Sequence, residues 1–144
     1  MPFPFQILQR PGYVVFLYEF LHNHRIISTA PRPHLDGIDF QMGDPVAHWD
    51  GDSLVIDVTN FNDKTWLDSA RHTHSDAMHV TERFWKNGAN LVYQVTVEDP
   101  KVLAAPWTMA PRVIKPSTDP LEESPKCTEA DAKLLVNDDH HGQR

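Results

Sequence analysis

Apolar residues recur at every second position along most of the chain, in short runs separated by turn dipeptides. That period belongs to antiparallel strands rather than amphipathic helices. Three hairpins follow. Residues 4–10 and 13–22 flank Pro11-Gly12, 46–49 and 52–60 flank Asp50-Gly51, and 78–86 and 89–98 flank Asn87-Gly88. Asp-Gly and Asn-Gly suit the type I′ turn, which needs positive φ at both central residues, whereas Pro-Gly suits type II. Further strands at 24–29 and 107–115 bring the number to about eight, enough to close a small barrel or build a two-sheet jelly roll. The fold class read from the pattern is therefore all-β, a single small antiparallel β-barrel or jelly-roll.

Two stretches interrupt the alternation. Residues 30–45 carry Pro31, Pro33, Gly37, Gly43 and Pro45 and read as a long surface loop, and residues 61–77 connect the second hairpin to the third. Loops of that length are commonly functional. The barrel domain is assigned to residues 1–116. Residues 117–144 form a proline-rich acidic tail, in which Thr128 and Asp131 are placed to cap a short helix over 129–136.

Register puts polar groups on the apolar face. With Asn87-Gly88 as a two-residue loop, Lys86 faces Ala89, Phe84 faces Leu91, Glu82 faces Tyr93 and Val80 faces Val95. Side chains alternate between faces, so Glu82 shares the inner face with Val80 and Phe84, while His79, Thr81, Arg83 and Trp85 point outward. A carboxylate among apolar side chains is costly unless it is paired, protonated or bound to a cation. In the first hairpin Phe5, Ile7, Val14, Phe16, Tyr18 and Phe20 share one face, and His22 continues their parity. Leu54, Ile56 and Val58 point inward in the second, with His48 outside. If the strand holding Glu82 reaches back to His72, then His72 and His74 also face inward.

Composition narrows the chemistry. Thirteen Lys and Arg stand against 20 Asp and Glu, a formal charge of −7, which suits no polyphosphate and argues against nucleic acid. No run approaches the roughly 20 apolar residues of a membrane helix, and the start MPFPFQ lacks the features of a signal peptide. The single cysteine, Cys127, excludes an intrachain disulfide framework. The nine histidines are unusual.

Two imidazoles at i and i+2 on a strand project to the same side, and a carboxylate completes a two-histidine, one-carboxylate metal site with open positions. The candidate ligands are His72, His74 and Glu82, holding one transition metal ion, copper, iron or zinc. His22 is a fourth ligand or a proton-transfer group, and Glu82 and Tyr93 are further candidates for the catalytic set. His72-Thr73-His74 followed by Glu82 and Gly88 resembles the first metal motif of the cupin family, although the seven residues between His74 and Glu82 exceed that family's spacing. The resemblance implies a cupin-like metalloprotein; the mixed imidazole and carboxylate set and the aromatic interior favour oxidative over hydrolytic chemistry, on a small-molecule or carbohydrate substrate. The alternative is a non-enzymatic, lipocalin-like barrel that holds a small apolar or aromatic ligand among Phe5, Phe16, Tyr18, Phe20, Phe84 and Tyr93. In that reading Glu82 and His22 orient the ligand by hydrogen bonds and no metal is needed; with no site at all, the stretch His72-Thr73-His74 is an exposed loop and Glu82 a buried acid satisfied by Tyr93 or Arg25. Trp85 on the outer face is a candidate platform for a sugar ring or for a homodimer contact.

The segments HWDGDSLVIDVTNFNDKTWLD, HSDAMHVTERF and VTVEDPKVLAAPWT are similar to the C-terminal part of a family of uncharacterised bacterial proteins. That resemblance implies an exported all-β domain, periplasmic or secreted, and carries no activity with it.

Overall fold

The computed structural model describes residues 4–20, 23–68 and 70–122. His22, Cys127 and the helix expected at 129–136 lie outside the described residues. Among the described residues nine strands form one sheet: β1 (Phe5–Arg10), β2 (Tyr13–Tyr18), β3 (His24–Ser28), β4 (Asp44–Asp50), β5 (Ser53–Thr59), β6 (His79–Asn87), β7 (Asn90–Glu98), β8 (Trp107–Thr108) and β9 (Arg112–Ile114). Their spatial order follows the chain from β1 to β8, with β9 also on β7. The sheet curls into a half-barrel, so the protein is all-β and barrel-like.

One pairing departs from the antiparallel expectation. β3 and β4 run parallel and meet at Ser28 and Val46. Residues 29–43 carry the chain back along the strand before β4 begins, the long crossover that parallel neighbours require. The strand expected at 107–115 is split into β8 and β9 around Met109 to Pro111, where Pro111 lacks a ladder donor.

The hairpin turns are also corrected. The first is as expected, with Arg10 opposite Tyr13 and Gly12 at φ 82°. In the other two the loop is Gly51-Asp52 and Gly88-Ala89, because Asp50 pairs with Ser53 and Asn87 with Asn90. Only the glycines have positive φ, so each glycine sits at the first central position, as in a type II′ turn. Glu82 consequently faces Val95 rather than Tyr93, and Phe84 faces Tyr93. Each strand slips by one residue, a sum of two, so the inward and outward sets are unchanged.

The concave face holds the core: Val14, Phe16, Ile27, Ala47, Ile56, Val58, Val80 and Phe84, with Phe5, Tyr18, Tyr93 and Val95 packed against it. The tilted rings of Phe16 and Phe84 have centroids 5.3 Å apart, and Phe84 stacks on Tyr93 at 4.6 Å. Burial of each phenylalanine contributes about 2–3 kcal/mol.

Loop residues 29–43 fold against β5. The Phe40 amide donates to the Asn60 carbonyl and the Asn62 amide to the Phe40 carbonyl, while buried Asp44 accepts from Arg32 and from the Leu35 amide. In the next connection, buried Asp99 accepts from both the amide and the hydroxyl of Ser75. Burial raises the Asp99 pKa, but these bonds outweigh it and hold the carboxyl below its ordinary range.

Candidate functional site

The inner carboxylate is paired. Glu82 on β6 accepts from Arg25 Nη1 on β3 at 2.7 and 3.1 Å, across the hollow of the curled sheet. Their side chains are only 8% and 9% exposed. Arg25 Nε is buried with no partner among the described residues. Burial raises the pKa of Tyr18, with Arg25 opposing, and burial together with the charge of Glu82 raises that of Tyr93. Tyr93 thus stays a neutral phenol beside the pair.

The two histidines of the HxH sequence lie elsewhere. β6 begins at His79, so the strand does not reach back to His72. Asp68 accepts at 2.7 Å from the exposed His72 ring and at 3.2 Å from its amide, forming a tight turn. Buried His74 bonds the Thr65 hydroxyl at 2.6 Å and packs edge-on against Phe61. An Asx-type turn closed by Asp68 competes with the strand that the i, i+2 spacing suggested. The structure therefore does not bring His72, His74 and Glu82 together. Among the described residues, no three His, Cys, Asp or Glu side chains are arranged around one point to hold a metal ion.

A different cluster occupies the outer face. Asp57 on β5 and His79 on β6 both project outward, and the loop with Pro31 and Pro33 lays His34 over them. His34 Nε2 lies 2.7 Å from Asp57 Oδ2, and His79 Nε2 bonds Asp57 Oδ1. The far nitrogens also face carboxylates: His34 Nδ1 is 3.3 Å from Asp44, and His79 Nδ1 is 3.2 Å from Glu98. The result is a continuous chain, Asp44–His34–Asp57–His79–Glu98. An imidazole can donate from both nitrogens only as the cation.

Burial works against charge on His79, but the bonds and charges of Asp57 and Glu98 outweigh it and raise its pKa above the ordinary 6.5. Burial likewise raises Asp57, yet His79 and His34 prevail and hold it below 3.8. The raised His79 pKa gives stability that is complete below about pH 6.5. That stability is lost as pH rises through the raised value. The lowered Asp57 pKa gives stability present above about pH 3.8 and lost as pH falls. For a pair this exposed the alkaline loss is about 0.5 kcal/mol. Urea titrations at a series of pH values are expected to show that loss in the native protein and not in His79→Gln. An equal slope in the variant would place the proton elsewhere.

The chain opens onto a groove of about 750 Å³ whose walls include Pro31, Pro33, Val46 and Val55, with His34 and Asp57 among its polar groups. An apolar groove with a few convergent polar groups is the usual form of a small-molecule site. Sequence reading placed His79 on the outer side but did not connect it with Asp57, and it missed His34. The available signal was an outward Asp and an outward His on consecutive strands. The chain matches no protein-family model, no curated protein and no solved structure.

Proposed function

We propose that the protein binds a small, mainly apolar molecule carrying one hydroxyl group in the groove on the outer face of β4 to β6, and exchanges a proton with it through Asp57 and its two imidazoles. The observation behind this reading is the Asp57 carboxylate shared by His34 and His79 at the end of an apolar-walled groove. Pro31, Pro33, Val46 and Val55 supply the apolar contact. Asp57 accepts from the ligand hydroxyl in place of one imidazole, and the released imidazole is then free to take or return a proton.

Calorimetric titration with 2-naphthol, an aromatic molecule with one hydroxyl, tests the reading. The native protein is expected to bind it, and Asp57→Asn to bind at least about tenfold more weakly, a loss of about 1.4 kcal/mol. Equal affinity in the two proteins, or no binding to the native one, would overturn it.

A second reading retains the transition metal and is favoured by one feature: metal-binding imidazoles usually rest their far nitrogen on a carboxylate, as His34 and His79 do. Here His34 and His79, with Asp57, would have to turn toward one point, which they do not share as they stand, to hold a copper, iron or zinc ion, and the ion would supply Lewis acidity in the groove. Titrating the same two proteins with zinc separates the readings, since one bound equivalent lost in Asp57→Asn supports the metal.

A further inference from the structure

Resting on the ligand reading above, we propose that Thr81 is the second partner of the ligand hydroxyl. The Thr81 hydroxyl donates to the same ligand oxygen that donates to Asp57, so the groove takes an alcohol or a phenol in preference to an amine or an ether of the same shape.

Thr81 on β6 stands directly opposite Asp57 on β5. Side chains paired in this way on one face of a sheet have Cβ atoms about 4.5–5.5 Å apart, and both residues line the outer groove. Most polar groups there are occupied. Asp57 holds His34 and His79, His34 also reaches Asp44, and Arg32 donates to Asp44 and to the Pro33 and Pro45 carbonyls. The Thr81 hydroxyl makes no hydrogen bond among the described residues, although the residue is half-buried. Nor is its oxygen sealed off, since Arg25 Nε is the only buried side-chain nitrogen or oxygen without a partner among those residues. Thr29 and His48 also line the groove without a hydrogen bond from their side chains. Thr29, however, lies past the end of β3, and His48 faces Val55, one row away from Asp57.

A hydroxyl group carries one proton and two lone pairs. With its proton toward Asp57, the ligand oxygen turns its lone pairs to the rest of the wall, and an acceptor left unmet among Pro31, Pro33, Val46 and Val55 is unfavourable. The Asp57 carboxylate only accepts, so the donor has to come from a neighbour. Thr81 supplies it. As the ligand O–H bond breaks, the proton passes to the released imidazole and the electron pair stays on the oxygen. A hydrogen bond to that oxygen strengthens as negative charge builds there, so Thr81 holds the deprotonated ligand more firmly than the neutral one. An arylamine can donate to Asp57, but its nitrogen lone pair is drawn into the ring and accepts poorly. A methyl ether accepts from Thr81 and offers no proton to Asp57.

Calorimetric titration of the native protein, Thr81→Val and Thr81→Ser with 2-naphthol and with 2-naphthylamine tests the role of Thr81. Valine keeps the shape of threonine and removes only the hydroxyl. The native protein is expected to bind 2-naphthol at least about fivefold more tightly than the amine, the worth of one hydrogen bond. Thr81→Val is expected to lose that preference through weaker 2-naphthol binding, with its affinity for the amine changed by less than about twofold, and Thr81→Ser is expected to keep it. Binding of the amine shows that the groove is intact in the variant. Absorbance gives a second readout: bound 2-naphthol is expected to ionise at higher pH in Thr81→Val than in the native protein, a change that a purely structural role would not produce. An unchanged preference in Thr81→Val, or equal weakening of both ligands, would overturn the role of Thr81 and leave that of Asp57, read from Asp57→Asn, standing. No binding of 2-naphthol to the native protein would remove both.

Discussion

Replacing Glu82 by glutamine is expected to cost about 3–5 kcal/mol of folding stability. The substitution preserves shape but strips Arg25 of its counter-ion in a site where both side chains are less than a tenth exposed. Among the described residues Arg25 Nε already lacks a partner, which leaves the charge dependent on Glu82 and on the Tyr18 phenol. The opposite change, Arg25→Met together with Glu82→Leu, removes both charges and keeps apolar volume. Buried ion pairs replaced in this way are often neutral or stabilising, and the double variant is expected to recover most of the loss. Urea unfolding of the native protein, both single variants and the double variant gives the cycle directly. A cost under about 1 kcal/mol for Glu82→Gln would mean that the carboxylate is solvated and the pair does not bridge the sheet in solution.

The second large effect is expected at Gly43. Its φ of 69° lies in the left-handed region, and a Cβ there would stand 2.5 Å from Val58 Cγ1, 2.8 Å from the Thr59 carbonyl oxygen and 2.9 Å from Phe61. Gly43→Ala therefore combines backbone strain with a clash against main chain that cannot move aside, a cost of about 2–4 kcal/mol. Because Gly43 leads into Asp44, the carboxylate that holds Arg32 and His34, the variant is also expected to weaken 2-naphthol binding. Adding Val58→Ala relieves only the contact with Cγ1. If the double variant regained full stability, the Thr59 carbonyl and the positive φ would not matter.

Local chemistry was legible in the sequence and non-local placement was not. Alternation located the strands of all three hairpins and put Glu82 inside with Phe84, because parity survives a slip of one residue in each strand. The turns moved because glycine takes the first central position, which a dipeptide signal does not reveal. The parallel meeting of Ser28 with Val46 leaves no periodic trace, since a single residue pair makes it. His72 and His74 illustrate the opposite failure: their spacing suits a strand, but Asp68 closes a turn onto the His72 amide and ring, and His74 is taken by Thr65. His34 sits in a loop without periodicity, so its position over Asp57 depends on the crossover that precedes β4.

That crossover also shapes how the molecule comes apart. β1 to β3 form one antiparallel block and β4 to β9 another, with the ladder between them reduced to the contact of Ser28 with Val46. Within each block neighbouring strands are zipped along most of their length, so each behaves as a foldon. Arg25 and Phe16 belong to the first block, Glu82 and Phe84 to the second, so the ion pair and the ring contact form a latch across the boundary. Amide exchange in β1 to β3 is therefore expected at a lower free energy than in β5 to β7. When the first block returns, the charged pair penalises a slipped docking that apolar contact alone would tolerate.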